Sequence, residues 1–211
     1  MSAATRTPPR STTGIRIRSR RAALSTAGAV VAALLLSACT SGGTSGGGGN
    51  TNFVLGKDGI ATADKGERAA APDLSGETVD GKQLDVAAYK GQVVVLNVWG
   101  SWCPPCRAEA SGFEKVFQDL KGQGVQFVGI NTRDTSTSPA RAFEKQYGVS
   151  YPSLYDPTGK LMLRFAKGTL NPQAIPSTLV LDRDGKIAAR SLSALSEEKL
   201  RKMISPVLAE K

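Results

Sequence analysis

The sequence contains no histidine among its 211 residues. Histidine is the side chain that most often activates a serine or cysteine nucleophile, and it is the commonest metal ligand. Its absence excludes Ser-His and Cys-His catalysis and removes that ligand. Only three cysteines are present, and one of them lies far from the other two along the chain. We therefore expect no zinc site and no other metal site.

Acidic residues are missing from the start of the chain, which explains most of the net charge of +9. Residues 1–38 carry six arginines and no acid, so the remaining residues hold 21 basic against 18 acidic side chains. No basic stripe with interleaved aromatic residues accompanies this charge, as a nucleic-acid-binding surface would require. The composition predicts an ordinary solvated surface and no nucleic-acid partner.

A long apolar run is also missing. Residues 22–36 are largely apolar but number about 15, whereas a membrane-spanning helix needs about 20. They follow Arg20 and Arg21 and lead into Leu-Ser-Ala-Cys39, an arrangement typical of a secretory signal. This ending resembles the bacterial lipobox, in which the cysteine is lipidated and becomes the mature N-terminus. A plain signal peptide and an uncleaved anchor remain alternatives, and the export route, general or twin-arginine, stays open.

The composition divides the chain into three segments. Residues 1–38 are predicted to be the signal peptide, and residues 39–71 a lipidated Cys39 with a flexible linker. Within that linker, residues 40–52 are almost wholly Gly, Ser, Thr and Asn, and residues 53–71 read as an unpatterned, extended lead-in. The remaining residues, 72–211, are enough for one folded domain, which we expect to be a monomer.

The folded part alternates predicted strands and helices. Asp80 and Gly81 indicate a hairpin turn between short strands, and the β-branched run 93–99 is typical of a strand buried on both faces. Later strands are predicted at 125–131, 151–155, 177–182 and 186–191, and helices at about 104–121, 138–147, 160–166 and 196–209. Strand-helix-strand connections imply parallel pairing, and the closing hairpin is antiparallel. The prediction is an α/β fold with a central mixed sheet flanked by helices.

The sequence Cys103-Pro104-Pro105-Cys106 lies between the first buried strand and the first long helix. Two cysteines three residues apart at a helix start are close enough to bridge, and the helix N-terminus stabilises a thiolate. We expect Cys103, at the exposed end, to attack a substrate disulfide and Cys106, more shielded, to resolve the mixed disulfide. Pro104 and Pro105 supply no backbone donor and should tune the stability of the thiolate.

Three other interpretations of the cysteine pair are open. A static structural disulfide closing so short a loop would add little stability. A zinc half-site lacks further ligands. A peroxidase would resemble the peroxiredoxins, which place a hydroxyl-bearing residue three positions before the nucleophile, where this chain has Gly100.

The chain resembles the thioredoxin superfamily, and within it the secreted TlpA/ResA/DsbE-like thiol-disulfide oxidoreductases. The resemblance rests on the run 93–98, on residues 99–109 around the two cysteines, on Ile175-Pro176-Ser177-Thr178 and on the turn at 182–186. It covers about residues 71–211. It implies a thioredoxin-like fold with an N-terminal hairpin and a central helix-strand insertion, which here falls within residues 132–169.

The resemblance also implies roles for individual residues. The proline that matches Pro176 is cis in such proteins, and its loop, with Ile175, pairs with the substrate peptide. Trp102, beside the first cysteine, is a second candidate contact to the substrate. Typical thioredoxins have a buried aspartate at the position of Asn97, and in the ResA-like branch a glutamate matching Glu109 is thought to handle the proton of the second cysteine instead. A solvated carboxylate in the first turn is the alternative for Glu109.

The implied function is exchange of electrons with protein thiols outside the cytoplasmic membrane, with the protein's own dithiol as its redox group and no other cofactor. Three hypotheses follow. The first is a reductase of protein disulfides, for example those of apocytochrome c in cytochrome c maturation, supplied by a membrane thiol carrier of the CcdA/DsbD type. The second is an oxidant that introduces disulfides into exported proteins. The third, of a different class, is a metallochaperone or binding module that has lost catalysis.

Overall fold

The β-branched run of the sequence forms the central strand of the fold. The computed structural model describes residues 51–210, and all seven residues of Val93–Trp99 are buried in it. A strand buried on both faces requires layers above and below the sheet as well as neighbours on both sides. The remaining elements supply these layers and neighbours.

The strands, numbered in chain order within residues 51–210, are β1 (Val54–Leu55), β2 (Ile60–Thr62), β3 (Ser75–Glu77), β4 (Gln83–Asp85), β5 (Val93–Trp99), β6 (Val125–Thr132), β7 (Ser153–Asp156), β8 (Ser177–Leu181) and β9 (Ile187–Ser191). The α-helices of the same part are α1 (Pro104–Leu120), α2 (Thr137–Tyr147) and α3 (Glu197–Ala209). Apart from the helix predicted at 160–166, these bounds confirm the predicted order of the elements from the hairpin to the last helix.

The main sheet is mixed, as predicted. Its strand order is β1-β2-β9-β8-β5-β6-β7, with β5, β6 and β7 parallel and the other neighbours antiparallel. The separate hairpin β3-β4 bridges to β7 through Thr78 and Leu154. Since β5 and β6 end together and β8 begins opposite Val98, the loops that follow β5 and β6 and precede β8 meet at one edge of the sheet.

Each face of the sheet has its own apolar core. On one face, α1 and α3 contribute Phe113, Val116, Leu200 and Ile204, which pack on β5 and β6 residues such as Phe127. On the other face the cover comes from the hairpin region and from the turn around Met162. Burial of this much apolar surface is the main source of stability for such a domain. The edge where the cysteines lie is therefore built on a rigid base.

The expectation that residues 53–71 are an extended lead-in is wrong. Strands β1 and β2 lie in this segment and extend the main sheet beyond β9, with Ile60 paired to Ser191. Phe53 is buried as well, with the Arg190 guanidinium over its ring. The strands are two and three residues long, too short for an alternating pattern to show in the sequence. The linker predicted for residues 39–71 thus includes part of the fold.

The helix predicted at 160–166 is also wrong, because only a 3-10 turn, Met162–Arg164, forms there. The carboxylate of Asp156 accepts the N–H groups of Lys160 and Leu161 at 2.8 and 2.9 Å, which starts a turn. Leu161, Met162 and Phe165 are all buried. This spacing is also that of one stripe of a helix, so the apolar pattern alone does not distinguish a helix from a short turn.

The signal peptide predicted for residues 1–38, the lipidated Cys39 and residues 40–50 of the predicted spacer lie outside the described residues and stay predictions. Thr51, near the end of that spacer, is buried. Within residues 51–210, no helix is both long enough and apolar enough to span a membrane.

Candidate active site

The two cysteines form a disulfide where β5 passes into α1. Their Cα atoms lie 5.3 Å apart. Cys103 is the N-cap of α1, and its Sγ accepts the backbone N–H of Cys106 at 3.2 Å. A cap atom at a helix N-terminus experiences the positive end of the helix dipole. A thiolate on Cys103 would therefore be stabilised in place.

Pro104 and Pro105 occupy the first two positions of α1. Proline has no N–H, and its fixed φ suits the first turn of a helix. The first backbone N–H of the helix is consequently that of Cys106, the group that meets Cys103 Sγ. The two prolines hold the turn in shape while limiting the number of donors available to a thiolate.

The expectation that Cys103 is the exposed cysteine is wrong for this oxidised form. Cys103 is 2% exposed and Cys106 1%. Both pack in one cluster with Trp99, Phe143 and neighbouring apolar residues. The sequence places Cys103 at a helix start but does not show that tertiary neighbours cover this start.

The loop before β8 lies against the disulfide. The Ile175–Pro176 peptide bond is cis, as the resemblance implied. The Ile175 carbonyl oxygen is 3.8 Å from Cys103 Sγ, a contact in which a reduced thiol would act as the donor. Ile175 is partly buried and packs against the cysteine cluster. The predicted substrate-contact residues Ile175 and Pro176 are thus brought to the reactive sulfur.

Glu109 is buried, which excludes the alternative of a solvated carboxylate in the first turn. Its side chain lies inside the domain, and the residue is 4% exposed. One carboxylate oxygen accepts the amide N–H of Asn97 at 2.9 Å, and the other accepts the backbone N–H of Leu195 at 2.9 Å. Burial raises the pKa of Glu109 to about 7, although both hydrogen bonds oppose the rise. A carboxyl group with this pKa can both take and give a proton near neutral pH.

Asn97 and Leu195 were not predicted as partners of Glu109. Asn97 lies on β5 and donates also to Thr178 Oγ1 at 3.4 Å, while Leu195 lies in the loop between β9 and α3. The sequence shows that Asn97 replaces the usual aspartate of thioredoxins. Only the fold shows that its amide holds the glutamate in place.

The two tryptophans have different positions. Trp99 is buried, stacks on Phe143 with ring centroids 4.3 Å apart, and donates to Ser153 Oγ at 3.3 Å. Trp102 is 43% exposed next to Cys103. A large exposed aromatic ring beside a reactive group is suited to contact with a partner. Trp99 therefore packs, and Trp102 remains the candidate for substrate contact.

Gly100 lies under the Trp102 ring. A Cβ atom at this position would be 2.7 Å from Trp102 Nε1 and 3.1 Å from the carbonyl oxygen of Thr132. A threonine, the kind of residue that the peroxidase alternative requires here, would therefore displace the indole. The local packing thus gives a physical reason for glycine three positions before Cys103.

Among residues 51–210, no group of three or more Cys, Asp or Glu side chains is placed to hold a metal ion.

The family model described as AhpC/TSA matches residues 68–190. The chain belongs to the AhpC/TSA family. The match includes the disulfide, Glu109 and the cis-proline loop.

Curated relatives include the thiol-disulfide oxidoreductase ResA of Bacillus thuringiensis, 28% identical over 139 residues, or 64% of this chain and 77% of the relative. Among solved structures, a DsbF homologue from Corynebacterium diphtheriae is 37% identical, with a TM-score of 0.66 over 72% of this chain and 94% of that one. A secreted thiol-disulfide isomerase from Corynebacterium glutamicum is 31% identical, with a TM-score of 0.68 over 77% and 100% of the two chains.

These relatives and the disulfide at the start of α1 indicate the same activity, thiol-disulfide exchange. The chain is a thiol-disulfide oxidoreductase of the ResA/DsbE type with a thioredoxin-like fold, and its substrates are protein thiols and disulfides.

Proposed function

We propose that this oxidoreductase works as a reductase of protein disulfides, with Cys103 as the attacking and Cys106 as the resolving cysteine. The observation that carries the proposal is Glu109, a buried carboxyl group on the same helix as Cys106 with a pKa raised to about 7. It lies three residues after Cys106, a spacing that puts both side chains on one face of α1. Glu109 would accept the proton of Cys106 as that sulfur attacks the mixed disulfide.

The reducing direction is supported by the donors around Cys103. A dithiol is a strong oxidant when its reduced, thiolate form is strongly stabilised. Here Pro104 and Pro105 remove two N–H groups from the first turn, and Cys103 Sγ accepts the N–H of Cys106. Modest stabilisation of the thiolate leaves the reduced protein a better electron donor. The oxidant hypothesis remains the second candidate, because a DsbF homologue and a secreted isomerase are among the similar structures.

The reduction potential of the Cys103–Cys106 couple separates the two directions. The purified protein is equilibrated with dithiothreitol or glutathione buffers, and the fraction of oxidised protein is measured by thiol trapping. We expect a value near that of thioredoxin, about −270 mV. A value near that of the strong oxidants, about −120 mV, would mean that the protein makes disulfides, and the reductase proposal would then be abandoned.

We further propose that the substrates include apocytochrome c before haem attachment and that electrons come from a membrane thiol carrier of the CcdA/DsbD type. This part rests on the resemblance to the ResA-like branch. Deletion of the gene is expected to lower the amount of holocytochrome c, and an external thiol should restore it. Normal levels of holocytochrome c in the deletion strain would rule out apocytochrome c as a substrate.

The proposed location is the outer face of the cytoplasmic membrane, with a lipid on Cys39. The basic and apolar order of residues 1–38 supports export, and one similar structure is described as a secreted protein. Labelling of cells with a radioactive fatty acid should mark the protein, and Cys39→Ala should abolish the label. If the parent protein carries no label, the lipid anchor is refuted, and only the proposed export remains.

A further inference from the structure

Arg133 places a positive charge beside the reactive disulfide. Its guanidinium carbon lies 4.5 Å from the centre of the Trp102 ring, and Trp102 directly precedes Cys103. Both Arg133 and Trp102 are exposed. A guanidinium group over an indole face gains a cation–π attraction and keeps its N–H groups free for an anion at its edge.

The backbone holds Arg133 in this position. Its φ of 61° is in the left-handed region, which is uncommon for a residue other than glycine. The next residue, Asp134, ties the loop down, because its carboxylate accepts the N–H and the hydroxyl of Ser101 at 3.0 and 2.5 Å and the amide of Asn131 at 2.6 Å. The loop after β6 is thereby fixed to the loop that carries the cysteines.

A second guanidinium group, that of Arg107 on α1, lies against the loop that carries the cysteines. Arg107 Nε donates to the carbonyl oxygen of Ser101 at 2.8 Å, and the residue is exposed. Ser101 thus contacts Asp134 through its N–H and hydroxyl and Arg107 through its carbonyl. In the described part of the chain, neither Arg107 nor Arg133 has a salt bridge to a carboxylate.

The loop segments that pack around the cysteines offer no exposed acid to balance the two arginines. They are residues 100–102, 132–136, 171–176 and 192–196, and their single acidic residue is Asp134, which is 4% exposed. The β1-β2 turn at the same edge of the sheet carries Asp58, which forms an ion pair with Lys202. The surface around the disulfide is therefore locally basic in a domain of nearly balanced charge. A partner segment with negative charge would complement it.

We propose that Arg133, assisted by Arg107, is a specificity-determining residue that binds a carboxylate close to the cysteine of the substrate protein. This inference rests on the proposed reduction of protein disulfides. The Cys103 thiolate attacks one substrate sulfur and the other leaves as a thiolate. Cys106 then attacks Cys103 Sγ, which closes the protein disulfide and releases the second substrate thiol, so that two electrons pass to the substrate.

The test uses three peptides with the same single disulfide, flanked by two Asp, two Ser or two Lys residues. The second-order rate constant for reduction by the reduced protein is measured by acid quench and chromatography. Each value is divided by the rate constant with dithiothreitol, which corrects for the intrinsic reactivity of each peptide. We expect the Asp peptide to react about tenfold faster than the Lys peptide at low ionic strength, and the ratio to fall as salt is added.

Arg133→Glu should reverse this order, and Arg133→Gln should bring the peptides closer together. Lys186→Glu is the matched control, because it reverses an exposed charge in the β8-β9 turn, at the opposite end of the sheet. It should leave the order unchanged. Equal normalised rates for the three peptides in the parent protein, or an Arg133→Glu variant with the parent order, would overturn the inference while leaving disulfide reduction intact. No reduction of any peptide would instead refute the proposed function.

Discussion

Glu109 and Asn97 form a buried hydrogen-bonded pair across the α1–β5 interface, with 2.9 Å between the carboxylate oxygen and the amide nitrogen. The amide of Asn97 is a neutral donor, so it orients the carboxyl group without fixing the charge on it. An aspartate at position 97 would place two acids in contact and push their pKa values apart. Of the two side chains in this pair, only Glu109 therefore titrates near neutral pH.

The first prediction concerns the proton of the resolving cysteine. Reaction of the reduced protein with an aryl disulfide that releases a coloured thiol gives a first phase for attack by Cys103 and a second for resolution by Cys106. In the parent protein the second phase should depend on pH with an inflection near 7, the pKa of Glu109. Glu109→Gln should remove the inflection and slow this phase at pH 8 at least tenfold, since general-base catalysis commonly contributes about a hundredfold or more.

Glu144 supplies the matched control for this experiment. Burial also raises its pKa to about 7, but it lies on α2 and hydrogen-bonds to Ser153 instead. Glu144→Gln should leave the second phase and its pH profile as in the parent. In both variants the first phase reports whether the fold is intact. A Glu109→Gln variant with the parent profile would remove Glu109 from the mechanism.

The second prediction concerns stability in the oxidised form. The pKa of Glu109 is about 7 in the folded protein against 4.5 as its ordinary value, so the folded state binds more protons than the unfolded state between these pH values. The free energy of unfolding must therefore decrease as pH rises from about 4.5 to 7. The full shift corresponds to on the order of 3 kcal/mol.

Denaturant unfolding of the oxidised protein from pH 5 to 8 tests this sign. The lowered pKa values of Glu197 and Glu210 place their titration below this window. Glu109→Gln should make the free energy of unfolding fall less steeply between pH 5 and 8. Glu144→Gln should have the same kind of effect, independently of Glu109. A free energy of unfolding that increases with pH in the parent would contradict the direction of both shifts.

The sequence predicted the parts of this site that lie in one continuous stretch. Cys103 and Cys106 are read from their spacing and from the strand before them, and Glu109 from the resemblance to the ResA-like branch. The partners of Glu109 come from β5 and from the loop around Leu195, and no local pattern marks contacts over such separations. The burial of Cys103 was missed for the same reason, because it results from packing between distant segments.

The fold was predicted well where apolar patterns are long, as in β5 and α1. It was missed at β2, where three residues give no period to detect. The segment 53–71, which contains β2, is also held to the rest of the domain by ion pairs. Arg68 pairs with Asp182 at 3.0 Å and with Glu210 at 2.6 Å. A lone arginine in a polar stretch gives no sign of such a role.

The third prediction concerns this ion pair. The Arg68 side chain is 5% exposed and that of Asp182 7%, so removal of the guanidinium leaves a buried carboxylate without its partner. Arg68→Met should lower the free energy of unfolding by about 3 kcal/mol, the range measured for broken buried pairs. Arg201→Met, which breaks more exposed pairs with Asp119 and Glu197, should cost under about 1 kcal/mol. Equal losses in the two variants would mean that Arg68 contributes no more than a surface ion pair.

The fourth prediction concerns Pro105, which occupies the second position of α1. Pro105→Ala adds a backbone N–H to the first turn, where N–H groups point towards the N-cap atom. Cys103 Sγ, which accepts the N–H of Cys106 at 3.2 Å, would gain a further donor for its thiolate. The reduced form is thereby stabilised over the disulfide, so the reduction potential should rise and the thiol pKa of Cys103 should fall relative to the parent.

Equilibration with glutathione buffers and absorbance of the thiolate against pH measure the two quantities. A rise of about 30 mV would correspond to a stabilisation of about 1.4 kcal/mol, the size of one hydrogen bond to a charged group. Pro206→Ala, near the C-terminal end of α3, is the control for loss of a helical proline and should leave the potential unchanged. A lower potential in Pro105→Ala would mean that the prolines act by restraining the turn, since an added donor can only favour the thiolate.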